Sequence, residues 1–431
     1  MFEQRCVVHF DHHSAEHAAN PLHALADLRR DAPIAWSDAY GGFWIATRYE
    51  DVVRAARDSE TFSSFNDLNM EDVAFSGVVI PPNPVRFLPL ELDQPLLGKH
   101  RKMLAARMAP PRARNMQQTY EDWADYFIDQ FITDGHVEFI SQLVSPVPAI
   151  ATLAFLGLPV DDFQVYSETF HDLAATLPGT PERDRALAGL QVCQQRVAAE
   201  VADRRRHPRD DALTDLVNGE IDGVGLPEDE IMDWVSLILG GGIDTTTALL
   251  GHSLIHLDRR PELRQSLRDD PKALELFMEE MLRIAAPTQA VARTATRDVE
   301  LGGQLIRRGE RVLLSWASAN CDEAVFDEAD NIVTDRKPNP HTSFGIGPHR
   351  CIGSHFARIE YVAILSRILT RLPDFRIDTG ARSYDSVGVV NGWAQIPATF
   401  TPGPVLGVPF RSAAEAAQNE SLCPAHGRSL Q

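Results

Sequence analysis

One stretch near the C-terminus constrains this chain more than any other. Ser343-Phe-Gly-Ile-Gly-Pro-His-Arg-Cys-Ile-Gly353 sets three glycines around a single cysteine, directly ahead of the amphipathic run FARIEYVAILSRILTRL. The helical period of that run makes the segment a loop that presents the Cys351 thiol at a helix N-terminus. Free backbone N–H groups and the positive end of the helix dipole stabilise negative charge there, lowering a thiol's pKa and favouring a metal-bound thiolate. Gly345, Gly347 and Gly353 let the backbone turn tightly and approach a flat cofactor. Taken alone, a cysteine in a glycine-rich turn is more often a buried structural thiol. A dinucleotide fingerprint fails, because the position that needs a third glycine holds Arg350.

A second unusual stretch, LILGGGIDTTTALL, lies in a helical pattern running from Glu228 to Leu257. Its interior glycines, Gly240, Gly241 and Gly242, forfeit about 3 kcal/mol of helix propensity that packing or function must offset. Close helix–helix contact through small residues is one explanation. The other is chemical, since Asp244 beside Thr245 joins an acid to a hydroxyl in a pair able to relay protons. Thr245 also stands four residues after Gly241, whose carbonyl its side chain can reach, opening the helix locally.

The spacing Phe344-x-x-Gly347-x-x-x-Cys351-x-Gly353 resembles the haem-binding loop of the cytochrome P450 family, and Gly241-Gly-Ile-Asp-Thr-Thr246 resembles that family's acid–alcohol signature. By this resemblance Cys351 is the axial ligand of the iron of haem b, where an electron-donating thiolate promotes O–O cleavage. Phe344, Gly345, Gly347 and Gly353 shape the loop around it. Gly241 and Gly242 give room for dioxygen, and Asp244 and Thr245 guide protons to it. Arg101, Arg293 and His349 sit where family members hold the haem propionates, for which arginine is the usual partner. The pattern departs at Leu97, where a histidine often stands. Glu280 and Arg283, three apart on a helix, read by themselves as a surface pair worth a few tenths of a kcal/mol. The resemblance instead makes them, with Arg336, a structural brace on the proximal side.

The resemblance runs from about Phe10 to Phe400 and implies a mainly α fold with small β-sheets, triangular in outline. Haem would be buried between the oxygen-activating and proximal helices. Residues 1–403 are then one haem domain, although length alone favours two or three domains, and 404–431 is a flexible tail with few large apolar residues. The implied activity is a monooxygenase that hydroxylates or epoxidises a small hydrophobic substrate. Its electrons come from NAD(P)H through a ferredoxin reductase and a ferredoxin. A peroxide-driven peroxygenase and a non-catalytic haem sensor are the alternatives, and the Asp244–Thr245 pair argues against both.

Local patterns agree with a helical protein. DVVRAAR from Asp51, Ala186 to Arg206, Glu228 to Leu257 and ALELFMEEMLRIAA from Ala273 have helical periods, whereas GFWIATRY, RVLLSWAS and the surroundings of Phe375 read as short strands. A net charge of −20 argues against nucleic acid or an anionic membrane as partner. The stretch from Gln94 to Tyr120 is the exception, carrying Lys99, Arg101, Lys102, Arg107, Arg112 and Arg114 without an acid. It is either a solvated helix face or a docking face for an acidic partner. Five dispersed cysteines and the lack of a signal-like or unbroken apolar segment point to a cytoplasmic protein without a membrane span. His9, Asp11, His12, His13 and His17 cluster without metalloprotease spacing, so no metal site is expected there. Substrate walls are expected from the segment 73–90, with Val78 and Val79, and from Ile243, Ala290, Val291 and Trp393.

Overall fold

The computed structural model describes residues 5–410 apart from 66, 67, 69–76, 83–85 and 178. Helices dominate, and many begin where the sequence supplies a start signal. Proline occupies the first turn of Pro146–Leu156, Pro181–Arg206 and Pro271–Ala285, where its missing N–H has no partner to lose. Thr180 and Asp270 cap two of these helices by accepting from Arg183 N and Lys272 N. Gly157, at φ 80°, ends Pro146–Leu156 in the left-handed conformation that favours glycine.

The expected helices are all present, as Tyr49–Arg57, Pro181–Arg206, Glu228–Leu257 and Pro271–Ala285. Glu228–Leu257, the central helix, runs unbroken through its three glycines and packs on Pro146–Leu156, Phe163–Ala175 and the helix after the cysteine loop, Ser354–Arg371. Tertiary burial on several sides offsets its poor propensity.

The main sheet among the described residues has the spatial order Val7–Val8, Ile34–Ser37, Phe43–Ala46, Arg311–Ser315, Ala290–Ala295, Phe62–Ser63. Arg293 pairs with Val312 and Val291 with Leu314, in antiparallel register. Because strand side chains alternate between faces, this register puts Val291 and Arg293 on one face. Ala290 and Ala292 fall on the other, in a separate apolar cluster with Phe10, Leu25 and Ile45.

Contacts hold both ends of the described residues. Residues 404–410 are mostly exposed yet tethered: Leu406 N and Gly407 N donate to Asp129, Arg371 donates to Pro404 O, and Phe410 packs on Tyr126. An acid near a helix end thus fixes backbone that composition alone made a free tail, while residues 411–431 lie outside the described residues. The N-terminal histidines are fastened to backbone, with His12 Nε2 and His13 Nε2 lying 2.8 and 3.0 Å from the same Ile80 carbonyl. No helix among the described residues is long and apolar enough to cross a membrane.

Candidate functional site

A cavity of about 330 Å³ lies between the central helix and the cysteine loop. The central helix contributes Trp234, Leu237, Ile238, Gly241, Gly242, Thr245, Thr246 and Leu249. Their spacing is that of one face of an α-helix. At Gly241 a Cβ would meet nothing within 4 Å, so this glycine opens space. At Gly242 a Cβ would lie 2.5 Å from Thr152 Oγ1, so that glycine serves close contact with Pro146–Leu156. The two readings left open for the glycines therefore divide between neighbouring residues. Thr245 Oγ1 donates to Gly241 O at 2.7 Å, the back-bond its spacing suggested.

Opposite stands the cysteine loop. Gly345 and Gly347 have φ of 68° and 74°, and a Cβ at Gly347 would lie 2.9 Å from Ala56 O, so both positions need glycine. Gly353 does not share that need; it has φ −81° and caps Ser354–Arg371. Cys351 N donates to Phe344 O at 2.7 Å, closing the loop, and Cys351 lines the cavity. Burial pushes the thiol pKa up, against the lowering influence of Gly353 N–H, Arg101, Arg350 and Arg358. The Gly353 N–H at the helix terminus lowers the thiol pKa in the expected direction, but burial outweighs it. A coordinating metal ion would complete the ionisation, since it deprotonates a bound thiol.

One edge of the cavity is cationic and under-bonded. Arg293 is 2% exposed and donates to Ala292 O, with no carboxylate in hydrogen-bonding contact among the described residues. Burial drives its pKa down to about 10 despite the charge of Asp93. Arg101 donates to Arg350 O. His349 Nε2 meets Ser64 Oγ at 3.2 Å while its buried Nδ1 has no partner among the described residues. Burial first, then Arg293 and Arg101, lower its pKa to about 3. A buried guanidinium and an orphaned ring nitrogen beside a cavity-facing thiol form a donor set suited to a flat, dianionic, metal-bearing cofactor. Leu97, by contrast, is wholly buried in the main core and does not line the cavity.

Glu280 and Arg283 are both fully buried rather than a surface pair. Arg283 donates to both Glu280 oxygens, at 3.0 and 2.8 Å, and to the Asn320, Ala329 and Asn331 carbonyls. Val333 N, Arg336 and Asn339 also donate to Glu280. Burial raises the Glu280 pKa, but these donors, led by Arg283, bring it below the usual value. Such a satisfied network fixes the 320–339 segment that leads into the cysteine loop.

Several expected positions lie elsewhere. Asp244 is buried and off the cavity wall: Tyr384 OH donates to its Oδ1 at 2.7 Å and His171 Nδ1 lies 3.2 Å from the same oxygen. Ile243 is also off the lining and packs in the core. Both follow from 100° per residue, which turns the positions just after Gly242 away from the lined face. Trp393 donates to His252 Nδ1 at 3.2 Å. Ala290 points to the opposite sheet face. Val78 accepts from Ala292 N through its backbone, and Val79 from Arg311. Of the expected substrate walls, Val291 and, within 73–90, Pro89 and Leu90 line the cavity, while 73–76 and 83–85 lie outside the described residues. The sequence reading missed Thr152, Phe155, Trp234, Leu237, Ile238 and Glu360. Stepping back three and four residues from Gly241 would have found Leu237 and Ile238.

The basic stretch is partly neutralised. Lys99 pairs with Asp222, and Arg107 with Asp210 and Asp215. Lys102, Arg112 and Arg114 are exposed, Arg112 with its charge acting on Asp210. Burial, then Arg350, Arg358 and Arg114, lower the pKa of His355, so Arg114 lies near the start of the helix after the cysteine loop.

Comparison with known proteins adds independent findings. The family model described as Cytochrome P450 matches residues 184–379. A steroid C26-monooxygenase of Mycobacterium tuberculosis is 31% identical over 371 residues, 85% of this chain and 97% of that protein. A linalool 8-monooxygenase of Pseudomonas putida is 29% identical, covering 89% and 96%. A Mycobacterium marinum cytochrome P450 solved in complex with pseudoionone superposes with a TM-score of 0.82 at 28% identity, covering 92% of this chain and all of that one.

Proposed function

The chain belongs to the cytochrome P450 family, whose cofactor is haem b and whose relatives named above are monooxygenases, and from that premise we propose its substrate class, electron source and working residues. The substrate is a small hydrophobic molecule that is hydroxylated or epoxidised, and the electrons travel from NAD(P)H through a ferredoxin reductase and a ferredoxin. One observation carries this reading: Cys351, Gly241 and Thr245 line one cavity, whose edge bears Arg293 with no carboxylate in hydrogen-bonding contact and His349 with a ring nitrogen that has no partner among the described residues.

When bound, haem would supply the activation of dioxygen, assisted by a thiolate ligand. Cys351 would provide that thiolate. Arg101, Arg293 and His349 would hold the propionates, supplying partners to a buried cation and a ring nitrogen. Gly241 leaves space beside the reacting centre. Thr245 holds its hydroxyl there by donating to the Gly241 carbonyl, within a helix that stays unbroken. Leu237, Ile238, Val291, Pro89 and Leu90 exclude water and favour an apolar substrate. The relatives' names, a steroid C26- and a linalool 8-monooxygenase, support a hydrophobic skeleton. Lys102, Arg112 and Arg114 form the ferredoxin-docking face, since a basic rim on an acidic protein steers an acidic partner.

The test combines a screen of hydrophobic compounds, read by the haem absorption shift, with turnover of any binder. Product that depends on NAD(P)H, a surrogate ferredoxin and its reductase supports the assignment. Product formed only with added peroxide would make the protein a peroxygenase, and binding without turnover would make it a sensor.

A further inference from the structure

The acid of the acid–alcohol pair faces away from the cavity, and its surroundings assign roles to two residues outside the site described above. His171, on Phe163–Ala175, places Nδ1 3.2 Å from Asp244 Oδ1 and Nε2 3.3 Å from Ala394 O. A carboxylate and a carbonyl both accept hydrogen bonds, so both ring nitrogens carry protons and His171 is a cation. Tyr384 spends its single hydroxyl proton on the same Asp244 oxygen, at 2.7 Å. Its own oxygen lies 3.1 Å from His171 Nδ1. Asp244 Oδ1 is thereby saturated. Asp244 Oδ2 is buried and, among the described residues, has no partner. A buried carboxylate oxygen without a donor is a place for exchange with water or a mobile hydroxyl.

Resting on the monooxygenase reading above, we infer that His171 and Tyr384 are positioning residues for proton supply. They hold Asp244 by Oδ1 so that Oδ2 alone takes a proton from water and passes it toward the hydroxyl of the adjacent Thr245. The carboxylate gains one proton and releases one, and returns to its charged form paired with His171. The groups that face His171 are Asp244 from the central helix, Tyr384 and the Ala394 carbonyl from the C-terminal segment, and Asp172 on its own helix. Burial opposes its charge, yet the bond and charge of Asp244 leave its pKa above the ordinary histidine value. The charge is therefore lost, and the hold on Asp244 weakened, as pH rises through that raised value.

The experiment needs no identified substrate. In the substrate-free oxidase reaction, haem-loaded protein with NAD(P)H, a surrogate ferredoxin and its reductase reduces dioxygen by two electrons to hydrogen peroxide or by four to water. The fraction reaching water reports proton supply. Wild-type protein is expected to lose water yield as pH rises, with a midpoint matching the His171 titration followed by NMR. His171→Gln and Tyr384→Phe should lower the water-to-peroxide ratio by about tenfold, less than the 10²–10⁴ of losing an acid–base group itself. In His171→Gln the pH step should vanish, and His171→Lys should restore most of the ratio by restoring a cation. In Asp244→Asn the NMR midpoint of His171 should fall. An unchanged ratio and pH profile in haem-loaded Tyr384→Phe and His171→Gln would overturn the inference. If His171→Gln does not load haem, Tyr384→Phe and the NMR shift decide. Protein that forms no haem-thiolate carbon monoxide band and reduces no dioxygen would instead refute the monooxygenase reading.

Discussion

Replacing Glu360 with glutamine should make the protein more resistant to unfolding in mildly alkaline solution. Glu360 lies on Ser354–Arg371, is 5% exposed and lines the cavity. Among the described residues its Oε1 has no hydrogen-bond partner, and the carboxyl makes a hydrogen bond with Thr246. Burial raises its pKa from 4.5 to about 8, only partly opposed by Thr246. Between those two values the folded protein keeps a proton that the unfolded chain has released, so stability falls as pH rises and levels off above the folded pKa. A shift of that size corresponds to about 5 kcal/mol across the window. Glutamine keeps the shape and stays neutral at every pH. The two proteins should therefore unfold alike near pH 4.5, and Glu360→Gln should gain steadily up to pH 8. Urea midpoints of the haem-loaded proteins, compared at each pH, test this, because a chain of this length need not unfold in two states. Curves that stay parallel from pH 5 to pH 8 would show that Glu360 is ionised in the folded protein and would refute the reasoning.

Other substitutions test the remaining parts. Cys351→Ser should leave much of the fold but abolish the red-shifted carbon monoxide band of the reduced protein; a retained band would remove Cys351 as ligand. Thr245→Val keeps volume and deletes one hydroxyl, so haem content and ligand binding should survive while hydrogen peroxide rises at the expense of product. Wild-type product yield per NAD(P)H would make Thr245 a packing residue. Changing Lys102, Arg112 and Arg114 to Glu should slow reduction by acidic ferredoxins far more than it weakens ligand binding, with the difference shrinking at high salt. Reduction rates unaffected across several ferredoxins would remove the docking face. Gly242→Ala should destabilise by about 1–3 kcal/mol, because its Cβ would lie 2.5 Å from the buried Thr152 Oγ1 and force that side chain or the helix to shift. Gly241→Ala should cost little stability, gaining up to about 1 kcal/mol of helix propensity, and should instead alter ligand binding. Equal thermal shifts for the two would contradict the division of labour between the glycines.

What the sequence disclosed, and what it hid, follows from how far each signal reaches along the chain. The cysteine loop was readable because its geometry is local: Gly345 and Gly347 need positive φ within a few residues of Cys351. The helix Glu228–Leu257 was readable from its period alone, and its bounds match those expected. Glu280 and Arg283 were harder, because their spacing fits an exposed pair equally well. Only the donors arriving from 320–339 make them a buried brace. Asp244 was the most misleading, since adjacency to Thr245 in sequence suggests that both face the cavity, while one helical step turns Asp244 off the lined face by 100°. Its partners lie 73 and 140 residues away, at His171 and Tyr384, and no local pattern announces either. The same step explains the substrate walls. Ala290 and Val291 are neighbours in a strand, yet period two sends one to the sheet's apolar cluster and the other to the cavity. Residue type located the chemistry in this chain, but the phase of each element decided which side chains meet it. An acid placed by that phase outside the cavity needs a fixed partner on one oxygen if the other is to face the reaction reliably.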